Sequence, residues 1–327
     1  MSKANRKTVL PDARVSPRFA GLTTFGRYPR IEDVAAANAP VDWAIYGVPF
    51  DGGVTYRPGA RFGPRAIRDA SQYLKVHHLE HRVTVTDVLS LADAGDAPVC
   101  PYSCADTQGA VASFAKAIGD PKSTRLLALG GDHSIALANM RATFERIGSP
   151  AGGMALIHFD SHLDTVDAVW GEKQGHASPF IRAIEEGVVD PKRMISIGIK
   201  GPLNNPEDLR FAQDHGVTVL THAEWRRDGP ALLQNHLKRI AAEPAYLSFD
   251  IDVIDPAFAP GTGTPCVGGF SSVETLELLR MCKGANIVGA DVVEVLPDRD
   301  VSQMTAFLAS HVAFEILALD AVRVASL

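Results

Sequence analysis

The stretch Met154–Thr165, MALIHFDSHLDT, opens the reading of this chain. Its first six residues, Met154–Phe159, make a largely apolar run without alternation between two faces. Such a strand is covered on both sides, as in parallel sheets flanked by helices. The run stops at Asp160, and His162 and Asp164 follow at every second position. Similar runs lie on either side, at Trp43–Val48, Arg125–Leu129, Met194–Ile199, Val217–Leu220, Tyr246–Phe249 and Ile287–Val293. Helical patterns separate them, at Pro64–Leu74, Ile135–Ile147, Pro179–Glu186, Pro230–Ala241, Ser272–Cys282 and Ser302–Leu317. Strand–helix alternation of this kind predicts an α/β fold. An open three-layer sheet and a closed barrel both satisfy it, and both place chemistry just beyond the carboxyl ends of the strands.

The chain has 327 residues, 46% hydrophobic and 21% charged, which suits a globular protein with a large core. A net charge of -6 argues against a broad nucleic-acid surface, which needs excess lysine and arginine. Residues 1–38 read as an irregular arm and 39–327 as a single catalytic domain. The arm segment SPRFAGLTTFGRYPR, Ser16–Arg30, is expected to pack on the body or on a neighbouring subunit. Neither a signal peptide nor an uninterrupted membrane-length run stands out, so the expectation is a cytoplasmic protein without a membrane partner. Cys100, Cys104, Cys266 and Cys282 give no disulfide framework, and Cys100 with Cys104 reads as a surface loop rather than half a zinc site.

Three segments carry candidate chemistry, each where an apolar run ends. They are LALGGDHS (Leu127–Ser134), LIHFDSHLDT (Leu156–Thr165) and LSFDIDVIDP (Leu247–Pro256). Five extended residues span about 13 Å, so the chain must curl after Asp160 to gather Asp160, His162 and Asp164. Asp160, Asp164, Asp250 and Asp252 near one another would repel, and would be costly to desolvate without cations. Two divalent ions offset that charge, with His133 and His162 as nitrogen ligands. An oxygen-rich set with two imidazoles and no thiolate suits Mn²⁺ first, with Ni²⁺ the main alternative. Taken singly, each segment also has a plain structural reading, as a glycine turn, a loop or a buried histidine.

With these residues in view, the chain resembles the ureohydrolase family of arginases, agmatinases, guanidinobutyrases and proclavaminate amidinohydrolases. The likeness extends to GVPFDGGVTYRPGARFGPRAIR (Gly47–Arg68), DPAFAPGTGTP (Asp255–Pro265) and VVEVLP (Val292–Pro297). It implies a three-layer arginase-like fold with a central, mostly parallel sheet of about eight strands rather than a barrel. It also implies that His133, Asp160, Asp164 and Asp250 hold one metal. His162, Asp160, Asp250 and Asp252 would hold the other, so that Asp160 and Asp250 bridge. His176 matches the family's proton-handling histidine and Glu294 the carboxylate that grips the guanidinium, while Asp164 would also align the nucleophile. The implied reaction is attack of a metal-bridging hydroxide on the guanidinium carbon. It splits a small guanidino compound, 4-guanidinobutyrate- or agmatine-like, into urea and an amine.

Departures from the family pattern concentrate near the pocket. Ser161 stands where many relatives have alanine, Ala177 and Ser178 replace a Gly-Thr pair, Lys200 replaces arginine and Arg299 replaces tyrosine. Val166 occupies a position where arginases usually carry asparagine, which makes L-arginine a poor expectation. Free guanidine, an N-methylated guanidine or a biguanide stays open as an alternative, with nickel as a possible metal. A single-zinc deacetylase on the same fold and a non-catalytic or partner-dependent subunit are the rival classes. The resemblance further implies a homo-oligomer, trimer or hexamer.

Overall fold

The computed structural model describes residues 7–326, so the first six residues of the expected arm lie outside it. One eight-stranded sheet organises the chain. In chain order its strands are β1 (Trp43–Gly47), β2 (Leu91–Asp96), β3 (Arg125–Leu129), β4 (Met154–Phe159), β5 (Val189–Ile199), β6 (Thr218–Thr221), β7 (Ala245–Asp250) and β8 (Ile287–Val293). Across the sheet the order is β2-β1-β3-β8-β7-β4-β5-β6, and every neighbouring pair is parallel. The sheet is open, with β2 and β6 at its edges, which excludes the barrel. Every residue of β1, β4 and β7 is buried, as strands covered on both faces require.

The topology decides where chemistry can collect. The four central strands, β3, β8, β7 and β4, run the same way, so their carboxyl ends open on one crevice. Registers such as Phe159 opposite Phe249 and Val293 opposite Asp250 bring those ends level.

Several elements differ from the sequence reading. Strand β2 was not anticipated because LADAGD is only half apolar; its Asp93 and Asp96 are spent on Arg68, at 2.8 and 2.5 Å. The helix Cys104–Ala117, capped by Ser103 accepting from Asp106 N, was missed too, because its apolar face is mostly alanine. Cys104 therefore lies buried at a helix start, not on a surface loop. The helix expected from Pro230 runs instead from His222 to Arg239. A capping box between Thr221 and Glu224 starts it earlier, and Pro230 lies inside it.

The C-terminal helix, Met304–Ala325, is longer than the expected Ser302–Leu317 and is long and apolar enough to cross a membrane. Most of it is buried within this fold. Its acidic residues explain why the periodicity was lost: Glu315 pairs with His78 and Arg280, and Asp320 with Arg125 and the Trp43 indole. In the arm, Phe25 and Tyr28 pack into the core, while Val15, Phe19 and Leu22 are exposed.

Candidate metal centre and active site

The loop after β3 begins with Gly130 and Gly131, both at positive φ. A Cβ on Gly131 would lie 2.5 Å from the Val48 carbonyl, so only glycine fits this turn. The turn delivers His133 to the crevice just before the helix Ile135–Arg146. The loop after β4 delivers Asp160, His162 and Asp164, and it bends as the spacing requires: Asp164 has φ +52°. Strand β7 ends on Asp250, whose side chain accepts from Asp252 N and curls Asp252 inward. Strand β8 leads into Glu294, also left-handed at φ +64°. Non-glycine residues in that region are uncommon and concentrate at functional sites.

The six expected metal ligands converge. His133 Nδ1 faces Asp160 Oδ2 at 3.1 Å, Asp164 Oδ2 at 2.9 Å and Asp250 Oδ2 at 3.2 Å. His162 Nδ1 faces Asp160 Oδ1 at 3.4 Å and Asp252 Oδ2 at 3.2 Å. Asp160 thus turns one oxygen to each histidine. His133 Nδ1 is buried and, despite these neighbours, has no hydrogen bond of acceptable geometry. Its tautomer follows from the shell behind it. Tyr246 OH donates to Asp291 Oδ2 at 2.8 Å, and Ser248 Oγ donates to Asp291 Oδ1 at 2.6 Å. Ser248 has spent its proton, so it accepts from His133 Nε2 at 2.8 Å. Nδ1 is the nitrogen that faces three carboxylate oxygens, and with its proton given up it joins them as a donor set for a divalent cation.

Electrostatics agree. Burial, then Asp252 and Asp160, pushes the Asp250 carboxyl well above its ordinary range, and burial with Asp160 raises Asp164. Burial opposes charge on His133, yet Asp160, Asp164 and Asp250 together raise its pKa well above normal. In the bare protein, protons stand in for positive charge that the cluster demands.

His176 and Glu294 meet over the same crevice. His176 Nδ1 lies 2.8 Å from Glu294 Oε1, which also accepts from His133 N at 2.8 Å. Glu294 Oε2 is buried and unpartnered. The other imidazole nitrogen, Nε2, accepts from Thr55 N at 2.9 Å and lies 2.7 Å from Thr55 Oγ1. Burial opposes charge on His176, but Glu294 outweighs it and raises the pKa to about 9. Next to this pair, burial and then Glu294 push Asp132 up to about 6, while Gly53 N and Ser134 donate to it.

A cavity of about 310 Å³ opens above His176 and several of the expected ligands, while Glu294 and Asp132 lie buried behind it and do not line it. Thr55, His162, Asp164, His176 and Asp250 form its floor, and Val166, Val169, Ala177 and Leu203 its apolar wall. Ala177 sits there with a negative φ, so its methyl narrows the pocket without straining the loop. Lys200 and Arg299 do not line the cavity, contrary to the expectation that their replacement touches the rim. Lys200 turns beneath the ligand loops, and Arg299 is exposed elsewhere.

Comparison with known proteins agrees with the geometry. A model of the arginase family matches residues 41–319. The chain belongs to the arginase family. It is 42% identical over 311 residues to a guanidinopropionase of Pseudomonas aeruginosa, covering 94% of each chain. It is 39% identical over 311 residues to proclavaminate amidinohydrolase of Streptomyces clavuligerus, covering 94% of this chain and 95% of the relative. The solved structure of the Streptomyces clavuligerus enzyme superposes with a TM-score of 0.85 at 38% identity, over 94% of this chain and 99% of that one. A hypothetical agmatinase from Burkholderia thailandensis superposes at 0.83 and 36% identity, over 94% and 93%. As a member of the arginase family, this chain is a hydrolase of C–N bonds in linear amidines, and the family works through a binuclear metal centre.

Sequence reasoning missed the residues behind the ligands. His158, inside β4, pairs with Asp160 Oδ2 at 2.9 Å and with Ser196 Oγ at 3.0 Å, so both its nitrogens are engaged. Ser248 and Asp291 were equally unmarked, since a lone polar residue in an apolar run carries no pattern, and Thr55 lies in an irregular loop after β1 where a threonine carries none either.

Proposed function

We propose that this arginase-family hydrolase cleaves a small guanidino compound to urea and an amine at a centre of two divalent metals. The observation that carries the reading is Asp160, whose two oxygens each face a different histidine beneath the His176–Glu294 pair. His133, Asp160, Asp164 and Asp250 would hold one ion, and His162, Asp160, Asp250 and Asp252 the other. When bound, the ions would supply an activated water and electrophilic assistance. Mn²⁺ is the first expectation and Ni²⁺ the alternative.

The chain's own residues do the rest. The unpartnered Glu294 Oε2 offers a charge-assisted hydrogen bond to a guanidinium N–H and fixes the plane of the substrate. Oε1 of the same carboxylate holds His176 Nδ1. The C–N bond breaks only if the departing amine takes up a proton, and His176 is placed to give it from Nε2. In the neutral ring Nε2 accepts from Thr55 N; in the charged ring its proton faces Thr55 Oγ1. The Thr55 N–H aimed at Nε2 opposes a proton there, so Thr55 favours the ring that has given its proton away.

The wall bears on the substrate. Among the described residues lining the cavity there is no lysine or arginine to hold a carboxylate, and Asp208 is the charged residue on its outer side. This supports an agmatine-like or uncharged, alkylated guanidine over 4-guanidinobutyrate. We further propose a cytoplasmic homo-oligomer, with exposed Val15, Phe19 and Leu22 on the arm available for subunit contact.

The test is urea release by metal-analysed protein loaded with Mn²⁺ or Ni²⁺. The panel holds agmatine, 4-guanidinobutyrate, 3-guanidinopropionate, L-arginine, guanidine, methylated guanidines and a biguanide. Turnover of agmatine or an alkylated guanidine above the guanidino acids is expected. Preference for a guanidino acid would overturn the reading of the wall, and no urea from any compound would overturn the proposal.

A further inference from the structure

Lys200 stands one residue past the end of β5, beside the ligand loop that follows β4. Its Nζ donates to the Asp252 carbonyl at 2.9 Å, to the Val253 carbonyl at 3.0 Å and to Ser161 Oγ. An ammonium has three protons, and all three are used. Ser161, between the ligands Asp160 and His162, closes the arrangement from the other side. Its hydroxyl donates to the Asp252 carbonyl at 2.7 Å, its N–H to Asp252 Oδ1 at 3.2 Å, and its carbonyl accepts from Lys200 N at 3.1 Å. The lysine stem passes over Gly269, where a Cβ would lie 2.8 Å from Lys200 Cε.

We infer that Lys200 and Ser161 are positioning residues that clamp the Asp160–His162 loop to the Asp252–Val253 turn and thereby set affinity for the ion on the His162 side. The inference rests on the two-metal reading of the site. It explains why this side needs a device of its own. His133 is fully buried and braced by Ser248, Asp291 and Tyr246. His162 has a side chain 39% exposed, and its outer nitrogen meets Cys266 Sγ at 3.8 Å. The backbone that carries His162 and Asp252 is held from below by the clamp.

The clamp also gives the two sequence departures one explanation. The Ser161 hydroxyl accepts from the ammonium and donates to the same Asp252 carbonyl that the ammonium reaches, so the pair works as a unit. Loss of either should loosen one ion and leave the other in place. Outer-shell partners of this kind typically change metal affinity by about 10- to 100-fold.

The experiment is stepwise Mn²⁺ binding by calorimetry, with metal counts by mass spectrometry after chelator challenge, on wild type, K200M, K200R and S161A. Thermal unfolding of each metal-free protein is recorded alongside. Wild type should bind two ions per chain. K200M should bind the weaker ion about 10- to 100-fold less tightly with the tighter ion unchanged, S161A should show a smaller loss, and K200R should recover part of it. Excess Mn²⁺ should restore kcat in the variants without changing KM. If K200M does not fold, S161A and K200R carry the test. Two ions in wild type with both affinities unchanged in the folded variants would overturn the clamp, as would equal weakening of both ions together with a lowered melting temperature. Fewer than two ions in wild type would instead overturn the two-metal reading.

Discussion

The floor and the wall of the cavity are built in different ways. The metal-ligand part of the floor is contributed by turns leaving the central strands; its ligands, buried apart from the partly exposed His162, are mutually oriented and backed by further hydrogen bonds, while Thr55 and His176 join them from other loops. The wall comes from the segments 165–177 and 201–210, where Val166, Leu203 and Asn204 are exposed and Val166 and Asn204 are held through their backbone N–H groups, by the Ala177 carbonyl and Asp208. A preorganised floor fixes the reaction, because its groups need not rearrange as charge develops. A wall of loops selects among tails at small energetic stakes and can change without disturbing the chemistry. Substitutions should therefore have graded effects, large below and modest above.

The largest effect is expected at Asp160. D160A removes the carboxylate shared by both histidines, so metal content should fall toward zero and turnover by about 10³-fold or more, the scale of several kcal/mol of lost electrostatic stabilisation. Wild-type metal content and turnover in D160A would break the distinction between floor and wall.

H176A should retain its metals and lose about 10²- to 10⁴-fold in kcat, the usual worth of a positioned acid. The raised pKa of about 9 sets the sign of its pH dependence. An acid must hold its proton, so wild-type kcat should be maintained below that value and fall as pH rises through it. That alkaline limb should vanish in H176A. A limb that persists in the variant would assign the proton to another group.

E294Q keeps the shape and removes the charge that Oε2 presents to the substrate. A lost charge-assisted hydrogen bond of about 1.5–3 kcal/mol predicts a fall of roughly 10- to 100-fold in kcat/KM, seen mostly in KM. Unchanged constants would place the guanidinium elsewhere.

The smallest effect belongs to the wall. Asp208 is partly exposed, and its carboxylate already accepts from Asn204 N and Asn205 N. D208N should weaken capture of a cationic tail by less than about fivefold and leave kcat alone, as expected for a screened charge. A change as large as that in E294Q would mean the wall is as organised as the floor.

Legibility follows the same division. The α/β class could be read from runs such as Met154–Phe159 because burial on both faces leaves a continuous apolar signature, but those runs fit a barrel equally, and the family resemblance was needed to choose the open sheet. The convergence of the six expected ligands was legible because three segments bearing carboxylates or histidines each follow such a run, while their division between two ions came from the family resemblance. Strand β2 was not legible, since Asp93 and Asp96 break its pattern to hold Arg68. Nor was the start of the helix His222–Arg239, where Pro230 misled and the Thr221–Glu224 box decides. The link between His176 and Glu294 joins positions far apart in sequence, and Thr55 and Lys200 act through geometry that only the fold creates. Ser161, which in sequence is only a serine where many relatives have alanine, touches both ligand segments.

The most direct test of the floor is one sample on which metal content and urea release are measured together. The protein is loaded with Mn²⁺ or Ni²⁺, freed of excess metal and assayed on the guanidine panel. Two ions per chain, with urea production that a chelator abolishes and added metal restores, is the result predicted. Urea production that persists at full rate in metal-free protein, or a single ion per chain in the fully active enzyme, would contradict it.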